Sequence, residues 1–470
     1  MPSDVGLARE TALWITKETT PGVLADAVAA DCIMVSGNPK VEQELPTKDS
    51  EEIVNSPNII DQILEAANPA KHSFDTYLRC SGTLLTAPQG GVMLESLLGK
   101  KADAFTAKVT TGIDDAVTSL TYKELSGELP DVGAIGIGTE VMFYSSVTRL
   151  TATTGTFTLT RLNGDSGRGY ATTTAVAHLA DAVISSKCIF YKQSLDTSPS
   201  FTITTKEGLI TKWCTGATCN NLKQTFGKKD FVKQSWAGEG MKVIYAGTDV
   251  PSVEATSGSA DITMTNADKF DVGVKIWNKT KDDYATTGYT VTAKDGNDLT
   301  VTPVLVETWE VTDVIEGYVP GIAQIGTPIP GRHNRASIDG TPAKIQESSI
   351  NFDCKKQYLD KEITESGFPE SWVDGMHKID FDQKFYQRAD QTAWFKQARD
   401  GDEKKAVFSF GDTDKSRMLI IVPRYKMSNP TSDKDGEAYV LSTKATALGK
   451  IADTNKGIVA GEDAVQVVFC

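Results

Sequence analysis

The 470-residue sequence predicts a mainly β fold. Threonine, which favours pleated strands, occurs 54 times, and 34 of these residues lie between positions 101 and 300. Short runs of alternating apolar and polar residues recur along the chain, and glycine-centred turns separate them. We therefore expect two diverged domains of β-sandwich or half-barrel type, each with a short flanking helix, plus two small threonine-rich β modules.

The first 100 residues contain strand signals on both sides of a long loop. Residues 8–36 show short alternations, and residues 41–72 form a polar, acidic stretch with an apolar middle. A clean alternation follows, in which Phe74, Leu78 and Cys80 share one face of a predicted strand. Residues 91–99 then predict a short amphipathic helix that ends at a glycine.

Two threonine-rich segments predict the small modules, and their patterns indicate that one is a copy of the other. The tripeptide Asp-Val-Gly occurs at residues 131–133 and again at 271–273. About twenty residues further on, each segment has a strand–turn–strand pattern, with the turn at Gly155 in one and at Gly296 in the other.

A weaker repeat covers more of the chain. The order strand, long loop, strand, short helix in residues 31–99 recurs in residues 345–401, and hairpin-like segments follow at 201–237 and 418–448. These patterns divide the chain into four parts. They are a first sandwich domain of residues 1–104 and 198–247, an inserted β module of residues 105–197, a second β module of residues 248–325, and a second sandwich domain of residues 326–470.

Charge and histidine content exclude several function classes. There are 48 basic and 62 acidic residues, which gives a net charge of −14, so the chain is poorly suited to hold DNA or an anionic membrane. Gly-Asp-Ser-Gly at 164–167 resembles a serine-protease nucleophile segment, but His72 is the only histidine before it and a turn is the better interpretation. We expect that the protein is not an enzyme.

Other chemistry-bearing residues also favour structural interpretations. Cys214 and Cys219 lack a second pair of ligands for zinc, and we interpret them as half-buried thiols on a hairpin. The acidic clusters at 412–414 and 433–435 are interpreted as solvated turns rather than calcium sites. We expect no catalytic residue, no cofactor and no metal.

Sequence signals also predict where the protein is made. The first 20 residues do not resemble a signal peptide, and no apolar stretch is long enough for a membrane helix. The seven cysteines are scattered and odd in number, which favours reduced thiols. We expect a soluble protein that folds in a cytoplasm, without a membrane partner.

Several segments have counterparts in one known family. They are KETTPG at 17–22, ESLLG at 95–99, FTIT at 201–204 and TGA at 215–217, together with the long acidic loop before a strand. In these segments the sequence resembles the major tail tube proteins of long-tailed (siphovirus-type) bacteriophages. The likeness covers residues 1–104, 198–247 and 340–470, and the two threonine-rich modules lie outside it.

The resemblance implies a structural role in the virion. In that family a small β-sandwich with a flanking helix packs side by side into rings, and the inner sheets join around a lumen. The rings stack into a tube through which phage DNA passes without sequence-specific binding, and an acidic lining would repel its phosphates. A duplicated chain resembles members that form rings of three subunits. The sequence does not decide between trimeric and hexameric rings. The implied partners are other copies of the chain, a tape measure protein, and tail terminator and tip proteins.

The long loops are the implied contacts between rings. They span residues 41–72 and 354–377, and the apolar residues expected to make the contact are Ile53, Val54, Ile59, Ile60, Ile63, Leu64, Phe368, Trp372 and Val373. Burial of the six aliphatic residues at 53–64 would contribute about 9–18 kcal/mol. Ordering the backbone of the first loop costs more, roughly 30–60 kcal/mol. We therefore expect both loops to become ordered on assembly.

Two other functions remain as alternatives. The first is a phage or surface β-protein with immunoglobulin-like modules that binds a glycan or a protein partner, for which glycan-array binding by the monomer would be the test. The second is an enzyme, for which an activity that depends on Ser166 would be the test.

Overall fold

The computed structural model has the mainly β fold that the sequence predicts. It describes residues 11–50, 61–194, 198–283, 287–323, 326–362, 366–388, 392–458 and 463–470.

The elements are numbered in chain order. Before the first module they are β1 Thr11–Lys17, β2 Cys32–Ile33, β3 Lys40–Glu42, β4 Thr47–Asp49, β5 Gln62–Leu64, β6 Ala70–Tyr77, α1 Gly91–Leu98 and β7 Gly99–Lys101. The first module contains β8 Thr106–Val109, β9 Ser119–Ser126, β10 Gly133–Ile137, β11 Glu140–Tyr144, β12 Ser146–Arg149, β13 Gly155–Thr158 and β14 Val183–Ser186. The next strands are β15 Ile189–Gln193, β16 Phe201–Glu207, β17 Ile210–Gly227, β18 Lys233–Gly240 and β19 Lys242–Ala246.

The remaining elements belong to the second module and the last third of the chain. The second module contains β20 Thr248–Asp249, β21 Asp261–Thr263, β22 Lys275–Asn278, β23 Tyr289–Asp295, β24 Asp298–Thr302 and β25 Ile315–Gly317. After it come β26 Arg335–Ile338, β27 Thr341–Ala343, β28 Ile345–Asp353, β29 Gln357–Tyr358, β30 Trp372–Val373, β31 Lys378–Tyr386, α2 Thr392–Asp400, β32 Lys404–Phe410, β33 Met418–Met427, β34 Thr431–Asp435, β35 Ala438–Ala447 and β36 Gln466–Phe469. Short 3₁₀ turns lie at Ala29–Asp31, Ala267–Lys269, Gly331–His333 and Thr454–Lys456.

An antiparallel sheet of eight strands joins the two halves of the chain. Its order is β3, β6, β18, β17, β28, β31, β35, β34. Successive side chains of a strand point to opposite faces, and apolar and polar residues alternate along these strands. One face of the sheet is therefore largely apolar and the other is polar. The apolar face includes Phe74, Leu222, Trp236, Ile350 and Phe381, which belong to the largest hydrophobic core. We call this the inner sheet.

A second layer of strands covers that core on its other side, and it is joined to the inner sheet where β33 pairs with β35 at residues 425–427. It runs β7, β15, β36, β33, β32, β26, β27, and we call it the outer sheet. Phe408, Ile420 and Val467 of the outer sheet, with Leu94 and Leu97 of α1, fill the same core as the inner sheet. The predicted helix at 91–99 is confirmed, and it is buried between the sheets.

The N-terminal strand is held by a buried carboxylate. Strand β1 pairs with β16 and β2, and β16 pairs with the first part of β17. Glu18, only 6% exposed, accepts hydrogen bonds from the hydroxyls of Ser200 and Thr202 and from the backbone N–H groups of Gly22 and Gly216. The KETTPG segment therefore has a structural explanation, since its glutamate fixes the start of the chain against β16 and β17.

The two modules share one strand topology. In the first, β14 pairs with β8 and β10, β13 pairs with β12 and β9, and β11 with β12 is a nearly continuous strand beside β10. In the second, β25 pairs with β20 and β22, β24 pairs with β23 and β21, and β23 lies beside β22. These pairings correspond, but β8 also pairs with β9 in the first module, whereas their counterparts β20 and β21 form no strand ladder and an isolated bridge between Pro251 and Met264 lies beside them.

Both modules pack firmly on the main sheets. Val132, Phe143 and Tyr170 of the first module contact Leu419 and Ile421, which lie on the face of the outer sheet away from the main core. The core of the second module includes Trp213 of β17 and Ile244 of β19. The sequence division at residue 197 is wrong in one detail, since β15 belongs to the outer sheet and pairs with β7 and β36.

A fully buried carboxylate organises the polar core of the first module. Both carboxylate oxygens of Glu140, which is 0% exposed, accept hydrogen bonds from Arg168, at 2.7 and 2.9 Å. The His178 ring nitrogen Nε2 lies 2.8 Å from Oε2, and the N–H of Val176 donates to it at 3.1 Å. Burial by itself raises the pKa of Glu140, but these hydrogen bonds outweigh burial and lower the pKa to about 2.

The lowered pKa predicts an acid-sensitive contribution to stability. A carboxyl whose folded pKa lies below its ordinary value of 4.5 stabilises the fold above pH 4.5 and loses that effect as the pH falls through 2. The expected loss is on the order of 3 kcal/mol. Urea unfolding of the wild type and of Glu140→Gln between pH 5 and pH 2 checks this, because the difference between their stabilities should shrink as the pH falls. A difference independent of pH would contradict it.

In the described part of the chain, neither α-helix is long or apolar enough to cross a lipid bilayer.

Candidate assembly site

The inner sheet consists of two groups of four strands in the same order. The order across the sheet in the first group is β3, β6, β18, β17. Strand β6 follows β3 in the chain after a long loop, and β17 and β18 form a hairpin. In the second group β28, β31, β35 and β34 occupy the same places. The repeat expected from residues 31–99 and 345–401 is therefore present in the strand pairing.

The two groups meet edge to edge inside the chain. Strand β17 pairs with β28 over seven residue pairs, from Asn221 with Asp353 to Gly227 with Glu347. This junction joins the last strand of one group to the first strand of the next. Because the groups are equivalent, it is a template for how two copies of the chain could meet.

Equivalent edges stay open at both ends of the inner sheet. In the described part of the chain, β3 pairs only with β6, and β34 pairs only with β35. The β34–β35 hairpin turns through two residues, and Gly436 adopts φ +62 at the first of them. In such a hairpin the flanking pair, Asp435 with Ala438, exchanges hydrogen bonds, so the N–H groups of Ser432 and Lys434 point away from β35. In the single copy the N–H of Lys434 donates to the Asp433 carboxylate of its own strand. An unpaired edge of this kind is a template for another strand.

The polar face of the inner sheet carries mixed charge rather than a uniformly acidic surface. A groove of about 400 Å³ on this face is lined in part by Lys223, Lys384 and Lys444 together with Glu347 and Asp382. Opposite charges face each other across neighbouring strands at Glu239 with Lys71, Glu347 with Lys384, Asp353 with Lys378, and Asp382 with Lys444. The acidity of the whole chain therefore lies largely elsewhere.

The first long loop is a two-stranded arm that continues from the β3–β6 hairpin. We call residues 43–68 the first arm, of which 43–50 and 61–68 are described. Backbone N–H groups of Asn68, Glu65 and Ser50 donate to the carbonyls of Glu44, Pro46 and Asp61, and β4 pairs with β5 between them. Strands β4 and β5 are exposed along their whole length.

The predicted contact residues of the first arm divide into two sets. Ile53, Val54, Ile59 and Ile60 lie outside the described residues. Ile63 is 58% exposed and Leu64 65% exposed, and Leu45 on the other strand of the arm is 51% exposed. The arm thus presents apolar side chains to solvent in a single copy, which is typical of a surface that another chain covers.

The second long loop packs against the first half of the chain. We call residues 354–377 the second arm. Lys356 is buried and donates to the carbonyl of Ser96 on α1 at 2.5 Å, and the hydroxyl of Tyr358 donates to the carbonyl of Gly216. Trp372 packs on the Tyr358 ring with the centroids 5.8 Å apart. The base of this arm therefore has partners within its own chain, and ordering of the arm on assembly stays a prediction.

The other predicted contact residues of the second arm are more accessible. Phe368 is half-buried, with the Lys242 ammonium 4.9 Å from its ring centroid, and Val373 is 49% exposed. The backbone N–H of Ala67 in the first arm donates to the carbonyl of Gly367 in the second, so the structure brings the two arms together.

The residues considered for catalysis or metal binding have structural roles. His178 contacts the buried carboxylate of Glu140, while His72 lies in the inner sheet and contacts the carbonyl of Thr218. Cys214 and Cys219 are fully buried rather than half-buried, and both lie in β17, which forms hairpins with β16 and β18. Among the described residues, no three His, Cys, Asp or Glu side chains converge as a metal site would require.

Comparison with known proteins gives no assignment. No protein-family model matches the chain, and no curated protein matches it in sequence.

The two open edges are the features that sequence reasoning missed. Residues 431–435 are entirely polar and suggested a solvated turn, because a strand exposed on both faces has no alternation of apolar and polar residues. One signal was present, namely Gly436 between two threonine- and serine-containing runs, which is typical of a tight hairpin.

Proposed function

We propose that the protein is a structural virion component that assembles into rings, and that the rings stack into a phage tail tube through which DNA passes. The observation that carries the proposal is the junction of β17 with β28. If the same junction forms between β34 of one copy and β3 of the next, every inner sheet continues into its neighbour. A closed ring then leaves no open edge, which removes a hazard that single sheets carry.

The layering of the chain supports this arrangement. The polar face of the inner sheet would line the lumen, whereas the first module packs on the far side of the outer sheet and would decorate the exterior. A lumen in which lysines and carboxylates are paired offers little net attraction for phosphate groups, so DNA would pass without being held. Contact of the arms with the next ring remains part of the proposal and depends on the resemblance.

Negative-stain electron microscopy of the purified, concentrated protein tests the proposal. We expect rings or hollow tubes with a central channel wide enough for duplex DNA. Their rotational symmetry will distinguish three copies from six, and with two four-strand groups in each chain a three-copy ring would have pseudo-sixfold symmetry. Monomers alone, at every concentration and with preformed tail tips added as initiators, would contradict the proposal and favour a glycan- or protein-binding function.

A further inference from the structure

Helix α1 is covered by the second arm of its own chain. The Lys356 ammonium, whose side chain is 0% exposed, reaches the carbonyl of Ser96 at 2.5 Å and the carboxylate of Asp374 at 3.6 Å. Asp374 in turn accepts hydrogen bonds from the N–H and hydroxyl of Ser198. The second arm follows β28 directly, so the β17–β28 junction is what delivers this arm to α1.

Helix α2 holds the equivalent place in the second half, and among the residues that the structure describes no equivalent segment covers it. It follows β31 and precedes β32, as α1 follows β6 and precedes β7. Trp394 packs on Phe385 with the ring centroids 4.8 Å apart. Phe395 is 39% exposed and the Arg399 side chain 73% exposed, whereas six of the eight residues of α1 are buried.

The first arm has the chemistry to cover α2. Its described residues include four carboxylates and one lysine, and they expose Leu45, Ile63 and Leu64. Helix α2 offers the complementary set, with Lys396 and Arg399 beside the exposed ring of Phe395. Complementary charge around an apolar contact is typical of specific interfaces.

We propose that the base of the first arm, residues 43–50 and 61–68, docks on α2 of the adjacent copy in the same ring. The inference rests on the proposed function, because pairing of β34 with the next copy's β3 would deliver that copy's first arm to α2, just as the β17–β28 junction delivers the second arm to α1. The base of the arm then makes a contact within the ring.

Cysteine cross-linking of assembled protein tests the proposal. The seven native cysteines are all buried, so a short bismaleimide will react mainly with introduced surface thiols. In the double variant Leu64→Cys/Phe395→Cys, each copy should be linked to the next around a ring. Denaturing gels should therefore show a ladder of products that stops at the number of copies in the ring seen by microscopy.

Four results would overturn the inference in different ways. A ladder that extends without limit would place the arm on α2 of another ring, and a product linked only within one chain would place it on its own α2. Either result, or rings without any cross-link, would leave the proposed function standing. Absence of rings in the untreated protein would remove the proposed function and this inference together.

Matched variants separate docking from chance proximity. Leu64→Cys/Leu179→Cys places the second thiol on the first module, at a residue that is 83% exposed, and should give no ladder. Lys396→Glu/Arg399→Glu in the Leu64→Cys/Phe395→Cys background should lower the cross-link yield by about tenfold, because it puts like charges together. Adding Glu44→Lys/Glu65→Lys should restore the yield, which a merely structural role of α2 would not produce.

Discussion

Ser432→Pro is expected to abolish ring formation while leaving the single copy folded. The N–H of Ser432 points away from β35, so its loss does not remove a hydrogen bond from the β34–β35 hairpin. A proline at this position removes a donor from the open edge and restricts the backbone against continuous pairing. Size-exclusion chromatography with light scattering, together with electron microscopy, will measure the assembly, and circular dichroism will verify the fold.

Two further variants make this result interpretable. Ser432→Ala keeps the N–H group and should assemble like the wild type. Lys434→Pro removes the second outward-pointing N–H of the same strand, which in the single copy donates only to the exposed Asp433 carboxylate, and it should reproduce the loss of rings even if Ser432→Pro folds poorly. Wild-type rings from both proline variants would show that β34 is not the joint between copies.

Glu140→Gln is expected to lower the free energy of unfolding of the first module by about 3–5 kcal/mol. Arg168, whose side chain is 3% exposed, would keep its charge in the interior but lose its only carboxylate partner in the described part of the chain. An uncompensated buried charge of this kind is strongly destabilising. Differential scanning calorimetry or urea unfolding at pH 7 will measure the change.

An exposed ion pair in the same module provides the control. Lys123 and Asp181 lie 2.6 Å apart, with side chains 34% and 66% exposed. Lys123→Ala should cost about 0.5 kcal/mol or less, because solvent-exposed pairs contribute little. Similar losses in Lys123→Ala and Glu140→Gln would mean that the buried network does not stabilise the module.

Local patterns predicted the elements of this protein well. Alternation around Phe74 and Phe381 corresponds to β6 and β31, the glycine after residue 98 ends α1, and Gly296 lies in the turn between β23 and β24. The matching tripeptides at residues 131–133 and 271–273 lie at the start of β10 and just before β22, which are equivalent strands of the two modules. These features depend on neighbours close in sequence, so periodicity and turn chemistry are sufficient to reveal them.

Charge and accessibility were predicted less well. Net charge suggested an acidic lumen. The polar face of the inner sheet, which lines the lumen in the proposed assembly, carries mixed charge, since strand register places Lys378 opposite Asp353 and Lys444 opposite Asp382. The base of the second arm was expected to be free, but Tyr358 is buried against the first half. Which charges meet, and which loops find a surface in the same chain, depend on contacts between residues far apart in sequence.

The sequence by itself determined the β class, the doubled strand–loop–strand–helix order and the two similar modules, because each is written in short-range patterns of side-chain size and polarity. Only the tertiary structure decided that the doubled halves join through β17 and β28. Within the described residues, it also decided that α1 is covered while α2 is exposed, and that β3 and β34 are free edges of the inner sheet. Which strand lies at an edge depends on the pairing of all the other strands in the sheet, because its backbone N–H and C=O groups stay unpaired only when no neighbouring strand bonds to them. Which helix is covered likewise depends on where distant segments of the chain pack.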